Sequence, residues 1–497
     1  MPATASERMS RVDTAWLRMD NDVNLMMIVG VWLLRPALDY ERFCERVVDR
    51  LLRYDRFRQK VVQDAIGALW VEDDEFDVRR HVVRERLVRR KGQSERQALQ
   101  ALCGRLATQP LDPARPLWQF HLIEDYEGGS AVIQRIHHCI GDGIALISVT
   151  LSITDGGHEP PSRRPRRADD DAEGDWLIDS VIQPVTEVVV KALDMTGKGA
   201  ARSAQALSQP LSGSLDLAHM GYQALSDVAA LLLMPDDSPT RLKGMPEGHK
   251  RVAWNEPLPI DAVKAIGKGL NCSINDVLLS CVAGAIGQYL RDSGDDPGGQ
   301  EIRAMVPVNL RPLEEGWQLG NKFGLAPLVL PIGIENPIER VYAVRQRMNE
   351  LKGSYQPLLA FAVLAVAGLM IKPVQDVILN LFAKKTTAVM TNVPGPAKPL
   401  TFCGSTVRQT MFWVPASGHI GIGVSVLSYA GGVQFGLITD ARLCPHPQAI
   451  IDRFQPEFEK LLLLTLMLPW GETGREPAPA RRRTPVERAG HAGPALG

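Results

Sequence analysis

One segment in the middle of the chain cannot belong to a hydrophobic core, and it divides the sequence. Pro160–Gly174 (PPSRRPRRADDDAEG) contains four arginines, a run of acids and, apart from proline, no apolar residue larger than alanine. Such a segment buries too little apolar surface to offset the entropy cost of ordering it, so we predict a mobile linker. Because 497 residues are more than one core usually supports, we predict two domains, at residues 1–159 and 246–470. Residues 160–245 would form the linker and a helical bridge, and residues 471–497 a disordered tail.

The regions on either side of this segment both alternate apolar runs of strand length with helical patterns. The first region predicts strands at Val29–Leu34 and Ala131–His137 and helices at Tyr40–Leu52 and Ile144–Ile153. The second region predicts helices at Ile274–Leu290, Val341–Leu351 and Pro447–Leu464, and strands at Ile302–Val308, Val389–Asn392, Ile420–Leu427 and Val433–Ile438. The last two strands would form a hairpin across Ser428–Gly432. Strands mixed with helices in both halves indicate an α/β layered architecture.

The most informative local pattern is Arg135-Ile-His-His-Cys-Ile-Gly-Asp-Gly-Ile144. His137 and His138 end a predicted strand, and Asp142 follows between Gly141 and Gly143, which permit backbone angles that other residues resist. A strand end that opens into a loop fixes a side chain and leaves it accessible. Histidine, with an unperturbed pKa of about 6.5, can take the proton of an attacking alcohol, which typically accelerates a reaction ~10²–10⁴-fold. A His–His pair is more often structural, but its spacing to Asp-Gly at a strand end favours catalysis, with Asp142 orienting the loop or the imidazole.

Other reactive patterns are weaker. Cys139 follows His138, but adjacent strand residues point to opposite faces, so a nucleophilic Cys139 is the less favoured alternative. The chain has no G-x-S-x-G elbow, and its seven cysteines form no C-x-x-C pair. Without an H-E-x-x-H pattern or a P-loop, neither a metal site nor ATP hydrolysis is predicted. The formal net charge of −1 does not indicate nucleic-acid binding.

The histidine segment resembles the H-H-x-x-x-D-G active-site motif of the CoA-dependent acyltransferase superfamily. Within that superfamily, the chain is similar to the bacterial wax ester synthase/diacylglycerol acyltransferase family from about Ser10 to Leu464. The other matching segments follow the order found in that family: Val12–Trp16, Phe76–Asp77, His81, Pro110–Asp112, Arg115–Trp118, Asn275–Asp276, Val306–Arg311, Gly320–Gly324, Thr391–Pro396 and Pro415–Ile420. Several collinear matches are more specific than one motif. One departure is Asn24–Ile28 (NLMMI), where many relatives have Pro-Met-His.

This resemblance implies two chloramphenicol-acetyltransferase-like α/β domains that face each other across a substrate tunnel. It also implies an O-acyltransferase that moves a long-chain fatty acyl group from acyl-CoA to a lipid alcohol. A fatty alcohol would give a wax ester, and diacylglycerol would give triacylglycerol. His138 would be the general base in a ternary complex. The supporting residues would be His137, Asp142, Gly143, Asn275 and Asp276.

Within this family pattern, the residues have separate roles. Asp142 is usually structural in the superfamily. Asn275 would approach the tunnel, unless it only caps its helix, for which Asn is well suited. Acyl-CoA would enter as a substrate, so no cofactor is expected. No metal is expected either.

Two segments bear on contact with lipid. Leu358–Ile371 (LLAFAVLAVAGLMI) is shorter than the ~20 residues of a membrane-spanning helix, and it would line a tunnel, touch a membrane or form a buried core helix. Arg79–Lys91 (RRHVVRERLVRRK) could meet CoA phosphates or anionic lipid, although Glu85 interrupts it and a solvated surface is the simpler interpretation. The N-terminus lacks the apolar stretch of a signal peptide, so we expect a cytoplasmic protein, with peripheral contact with the inner membrane or lipid inclusions.

Two other functions fit the same fold. The first is acyl transfer from acyl-CoA to a different acceptor, such as an amine. The second is a non-catalytic lipid-binding protein, which would have no need of His138 and Asp142. The sequence does not choose between a fatty alcohol and diacylglycerol, because both present a hydroxyl group to the same base.

Overall fold

A computed structural model describes the chain at residues 6–64, 67–157, 235–310, 319–352, 383–416 and 418–468. The predicted linker, most of the helical bridge, the segment Leu358–Ile371 and the tail at 471–497 lie outside these residues. Within the described ranges, no single helix is both long and apolar enough to cross a bilayer, but the consecutive helices Ile260–Gly269 and Ile274–Asp292, bent by 100°, meet those criteria as a pair.

In the first region, helices begin where side chains can accept hydrogen bonds from free backbone N–H groups. Ser10, Asp39, Ser94 and Asp142 each cap a helix in this way. The helices are α1 (Arg11–Met19), α2 (Tyr40–Asp49), α3 (Val78–His81), α4 (Glu95–Leu106) and α5 (Gly143–Ile153). The strands are β1 (Ser6–Arg8), β2 (Met27–Arg35), β3 (Gln59–Gln63), β4 (Ala68–Glu72), β5 (Val82–Arg84), β6 (Trp118–Tyr126) and β7 (Gly129–His137).

The second region is built in the same way from strands and buried helices. Its helices are α6 (Ile260–Gly269), α7 (Ile274–Asp292), α8 (Pro337–Lys352) and α9 (Pro447–Leu466). Its strands are β8 (Lys250–Trp254), β9 (Leu258–Pro259), β10 (Ile302–Asn309), β11 (Phe323–Leu330), β12 (Ala388–Pro394), β13 (Thr401–Phe402), β14 (Ser405–Trp413), β15 (Ile422–Tyr429) and β16 (Gly432–Asp440). The long helix α7 is buried along most of its length, which explains its nearly continuous apolar sequence.

The described strands form two large sheets and one small sheet. The first large sheet has the order β13-β14-β2-β7-β6-β5, and the second has the order β11-β10-β12-β15-β16-β8, with β9 also paired to β16. Strands β1, β4 and β3 form the small sheet. One hydrophobic core joins the second sheet to α6, α7 and α9, and another lies beneath α2 and α5 in the first region. A third apolar cluster contains residues of both regions and joins the two halves.

Strands β13 and β14 lie in the second region of the sequence but belong to the first large sheet. Strand β14 pairs antiparallel with β2, with Thr410 opposite Trp32, so β13 and β14 extend the first sheet. The range 246–470 therefore contributes strands to both large sheets. The alternation along a strand indicates which face is buried, but it carries no information about which sheet provides the neighbour.

The predicted elements within the described residues are confirmed, with shifts of a few residues at their ends. The predicted strand at Val29–Leu34 lies within β2, and the predicted helix at Ile144–Ile153 coincides with α5 apart from its first residue. The hairpin between β15 and β16 is also present. Its two loop residues, Ala430 and Gly431, have φ values of 49° and 83°, as a tight hairpin with the right-handed twist of its strands requires.

Candidate active site

The histidine pair lies where β7 ends and the chain turns into α5. His137 is the last residue of the strand, and the backbone N–H of His138 donates to the carbonyl oxygen of Met26 at 2.7 Å. The N–H of Ile140 then donates to the His137 carbonyl, which closes a turn. Asp142 ends the turn as the N-cap of α5, and its Oδ1 accepts from the N–H of Ala145 at 2.9 Å. The motif is therefore a strand, a turn and a capped helix start.

His138 is held between aromatic rings in a buried site. Its imidazole stacks on Trp16, with ring centroids 4.1 Å apart and an interplanar angle of 16°, and the Phe323 ring lies 5.5 Å away. The residue is 3% exposed. Burial lowers the pKa of His138 to about 4, and the opposing influence of the Asp142 carboxylate is smaller. His138 is consequently neutral at pH 7 and can accept a proton.

The two histidines differ in which ring nitrogens remain available. His137 Nδ1 accepts a hydrogen bond from the Cys139 backbone N–H at 3.2 Å, and its Nε2 lies 3.6 Å from Asp20 Oδ1. The Asp20 contact is longer than a hydrogen bond, and His137 Nε2 is buried without a hydrogen-bond partner among the described residues. In His138, the buried nitrogen without a hydrogen-bond partner among the described residues is Nδ1. His137 Nδ1 therefore helps to hold the turn, whereas the His138 ring is stacked between aromatic side chains.

Asp142 makes hydrogen bonds that hold the turn on both sides. Besides capping α5, its Oδ2 accepts from the backbone N–H of Lys322 at 3.0 Å, and its own N–H donates to the Gly320 carbonyl. Gly141 and Gly143 permit unusual backbone angles, but neither residue has a positive φ. Gly141 instead permits a close approach, because its Cβ would lie 3.4 Å from a methyl group of Leu319. A Cβ on Gly143 would point into open space at the start of α5.

The segment Leu319–Lys322, which we call the latch segment, joins the motif turn to the second sheet. It leads directly into β11, and Gly320 forms a parallel bridge with Gly141. The Gly320 N–H donates to the Ile140 carbonyl at 3.2 Å. Together with the contacts of Asp142, these bonds hold the turn at His137–Asp142 in the first region against the residues that precede β11 in the second region.

Sequence reasoning assigned no individual role to Asp13, Trp16 or Asn321, which surround the base. Asn321 Nδ2 lies 2.7 Å from Asp13 Oδ1 and 2.8 Å from the His138 carbonyl oxygen, and it donates to both. The Asp13 carboxylate is 1% exposed, and its Oδ2 accepts from Arg56 at 3.0 Å. The only available signal was that these residues lie in segments matching the family, because no local pattern connects positions 308 residues apart.

The predicted supporting residues in the second region occupy the start of α7. Ser273, not Asn275, is the N-cap, so the expectation that Asn275 could cap the helix is wrong. Asp276 completes a capping box by accepting from the Ser273 N–H at 2.9 Å. Asn275 is exposed, and its Oδ1 accepts from Asn392 Nδ2 at 3.0 Å. Among the described residues, no hydrogen bond connects Asn275 to the histidine turn.

Two alternatives raised by the sequence can be compared with the structure. The strand stops at His137, so strand alternation does not separate Cys139 from His138, but Cys139 is 0% exposed and packs in the core of the first region. Its side chain packs among apolar residues of that core. The basic stretch Arg79–Lys91 forms surface ion pairs, including Arg79 with Glu41 and Arg84 with Glu124, each at 3.0 Å. Over the described ranges, no cluster of side chains has the composition of a metal site.

Comparisons with known sequences agree with this geometry. The model for the wax ester synthase/diacylglycerol acyltransferase catalytic domain matches residues 9–278, and the model for the C-terminal domain of the same family matches residues 319–462. The chain is 25% identical over 445 residues to a Mycobacterium tuberculosis protein named "Probable diacyglycerol O-acyltransferase tgs1", covering 87% of this chain and 90% of that protein. A second protein from that organism, tgs2, is 25% identical over 472 residues, with coverages of 90% and 97%.

Solved structures share the fold. The wax ester synthase/diacylglycerol acyltransferase from Marinobacter aquaeolei VT8 has a TM-score of 0.63 and 18% identity, covering 93% of this chain and 100% of that chain. The starter condensation domain of rhizomide synthetase has a TM-score of 0.53 and 14% identity, with coverages of 93% and 94%. These similarities confirm the predicted α/β fold class. Because the catalytic-domain model alone matches more than half of the sequence, the chain belongs to the wax ester synthase/diacylglycerol acyltransferase family.

Proposed function

We propose that His138 is the general base in the transfer of a long-chain fatty acyl group from acyl-CoA to a lipid alcohol. The observation that carries this proposal is the neutral, aromatic-stacked imidazole at the H-H-x-x-x-D-G turn. An alcohol is too weak an acid to ionise at neutral pH, so its attack on the thioester requires a positioned base. Membership of the family supports acyl transfer as the reaction.

The reaction proceeds by direct attack within a ternary complex. Nε2 of His138 takes the hydroxyl proton as the alcohol oxygen forms a bond to the thioester carbonyl carbon. The resulting tetrahedral intermediate collapses, the carbon–sulfur bond breaks, and CoA leaves as a thiolate that recovers the proton from the imidazolium. Because the thioester is already activated, no covalent enzyme intermediate is required, which is consistent with the burial of the Cys139 thiol.

The substrates are acyl-CoA and an acceptor that presents a hydroxyl group on a lipid. The names of the Mycobacterium relatives support diacylglycerol, and that of the Marinobacter protein supports both diacylglycerol and a fatty alcohol. A condensation domain of the same fold was solved with C8-CoA, which supports acyl-CoA as the donor. We propose that acyl-CoA is a substrate and that the protein uses no separate cofactor.

We also propose that the protein works in the cytoplasm at a membrane or lipid-inclusion surface. Both acceptors are poorly soluble in water, so a peripheral position would bring the site to its substrate. The basic stretch Arg79–Lys91 supports this location, because most of its arginines are exposed beside Val88, whose exposure is 73%. Binding of the purified protein to anionic and neutral vesicles is the direct measurement.

The reaction is tested by measuring CoA release from palmitoyl-CoA with hexadecanol or dipalmitoylglycerol. We expect acceptor-dependent release that His138→Ala lowers by about 10²–10⁴-fold. His249→Ala is a matched control, because the His249 side chain is 80% exposed and lies 3.8 Å from Glu247. Circular dichroism verifies that both variants are folded.

The result that would overturn this function is release no greater than that of His138→Ala with either acceptor. A third acceptor, hexadecylamine, then separates the remaining alternatives. Release with the amine alone would indicate an N-acyltransferase. Lipid binding without any release would indicate a binding protein of the same fold.

A further inference from the structure

Two buried polar atoms near the base lack hydrogen-bond partners, and they are complementary. Asn321 Oδ1 and His138 Nδ1 are both buried without a partner among the described residues. An amide oxygen only accepts hydrogen bonds, whereas a neutral imidazole carries its single proton on one of two nitrogens. Burying a polar group without a partner costs free energy. The Asn321 amide already bonds to the His138 carbonyl oxygen, so a hydrogen bond from Nδ1 to Oδ1, which neither atom makes in this structure, would satisfy both.

The orientation of the Asn321 amide is set by its other contacts. Its Nδ2 faces two acceptors, the Asp13 carboxylate and the His138 carbonyl oxygen, at 2.7 and 2.8 Å. Exchanging the amide nitrogen and oxygen would place an oxygen against both acceptors, so this orientation is the one that hydrogen bonding permits. The remaining atom, Oδ1, is therefore available to accept from the imidazole.

We propose that Asp13 and Asn321 are positioning residues that hold His138 with its proton on Nδ1, leaving the Nε2 lone pair for the substrate hydroxyl. Asp13 orients the Asn321 amide, and the amide contacts His138 at its carbonyl oxygen and at its ring. This inference rests on the proposed role of His138 as the base. It assigns a function to Asp13 and Asn321, which belong neither to the histidine motif nor to a predicted strand.

The surroundings of Asp13 are consistent with a fixed, charged acceptor. Arg56 pairs with its second oxygen at 3.0 Å, and the guanidinium of Arg56 lies over the Trp70 ring at 5.0 Å. The Asn321 backbone N–H also donates to Asp13 Oδ1 at 3.1 Å. Asp13 and Trp16 are three residues apart on α1, so one helix face supplies both the acceptor for Asn321 and the ring that stacks on His138.

The effect of Asn321 on the basicity of His138 agrees with this arrangement. Burial is the largest influence and lowers the pKa of His138, while the Asn321 side chain acts in the opposite direction. An oxygen that accepts a proton from the ring stabilises the imidazolium, which raises the pKa. Asn321 belongs to the latch segment, which precedes β11. The tautomer of the base in the first region would therefore depend on a residue next to the second sheet.

The first test compares Asn321→Ala and Asn321→Asp with the wild-type protein. Misplacing a reactive group by about 1 Å can cost roughly 10²-fold in rate, so we expect kcat to fall about 10–100-fold in both variants with little change in KM. In Asn321→Asp, the new carboxylate stabilises the imidazolium, so the acid limb of the kcat/KM profile moves to higher pH. A merely structural role would lower the amount of folded protein without moving this limb.

Asn255→Ala is the matched control for loss of a buried amide. Asn255 is 7% exposed, and its Oδ1 accepts from the Phe435 backbone N–H at 2.7 Å inside the second sheet, with no contact to His138. We expect this variant to lose stability but to keep the kcat and acid limb of the wild type. If folded Asn321→Ala and Asn321→Asp both keep the wild-type kcat and acid limb, the inference is overturned.

A measurement independent of activity separates this inference from the proposed reaction. Nitrogen-15 spectra of histidine-labelled protein report the tautomer of each ring, and the signals that disappear in His138→Gln identify His138. We expect His138 to carry its proton on Nδ1 in the wild type and to populate both tautomers in Asn321→Ala. If His138 carries its proton on Nε2 in the wild type, the proposed role of Asp13 and Asn321 is overturned, even if catalysis is observed. The predicted tautomer without CoA release would overturn only the reaction.

Discussion

The starts of α5 and α7 look alike in sequence, yet the structure gives them different roles. Both begin with a capping side chain, and both contain a nearly buried aspartate at 4% exposure. At α7, Asp276 bonds to its own helix start through Ser273. At α5, Asp142 caps the helix and also holds Lys322 of the latch segment. The cap of α7 thus makes contacts within its own helix start, whereas the cap of α5 also connects the first region to the second.

The residues beside these caps differ in the same way. His138 is enclosed by Trp16 and Phe323, which belong to separate elements, and its pKa is lowered by burial. Asn275 lies on the surface and is oriented by one amide, that of Asn392. The pKa of His138 is lowered because distant parts of the chain remove its ring from water. The start of α7 therefore only caps its own helix, whereas the start of α5 also forms part of the candidate site.

The largest difference is expected between Asp142→Ala and Asp276→Ala. Loss of a cap costs roughly 0.5–2 kcal/mol in the free energy of unfolding, and Asp142→Ala should show this loss together with a 10–100-fold fall in CoA release. Asp276→Ala should lose similar stability, but activity should fall only in proportion to the unfolded fraction. Chemical denaturation and initial rates at matched folded concentration make the comparison. Equal losses of activity would contradict the distinction drawn between the two caps.

A smaller effect is expected for Asn275→Ala. Asn392 donates to Asn275 Oδ1, which leaves the Asn275 Nδ2 group free to donate to a substrate oxygen. The net value of one neutral hydrogen bond, about 0.5–1.5 kcal/mol, corresponds to a roughly 2–12-fold decrease in kcat/KM. Asn275→Asp keeps the acceptor and removes the donor, so it should show the same decrease. Unchanged kcat/KM in both variants would remove Asn275 from the site.

The smallest change is expected when the pH is lowered from 8 to 5. The pKa of His138 in the folded protein is about 4, below the ordinary value of about 6.5 for histidine. The base therefore stays neutral, and kcat/KM should be nearly constant until the pH approaches 4. The same shift makes a contribution to stability that is present above pH ~6.5 and is lost as the pH falls through the folded pKa. An acid limb near 6.5 in the wild type would show that His138 is more hydrated than the structure indicates.

Most of the secondary structure within the described residues could be predicted because its causes are local. Apolar spacing marked β2, β7 and α5, and the Asp-Gly pair marked the helix start that follows the histidines. The placement of β14 could not be predicted in this way, since β14 carries a strand pattern that is compatible with either sheet. The structure placed it beside β2 through backbone pairing between residues far apart in the chain.

The sequence by itself determined which residue is the candidate base, the strand that ends beside it and the aspartate that precedes the next helix, because each depends on neighbours within a few residues. Only the tertiary structure decided that Asp13, Trp16 and Asn321 surround His138, and that its imidazole is neutral at pH 7. Hydrogen bonds and ring contacts between distant segments form only after the two regions pack together. Burial then determines the proton affinity of the imidazole, and this burial is a property of the packed regions.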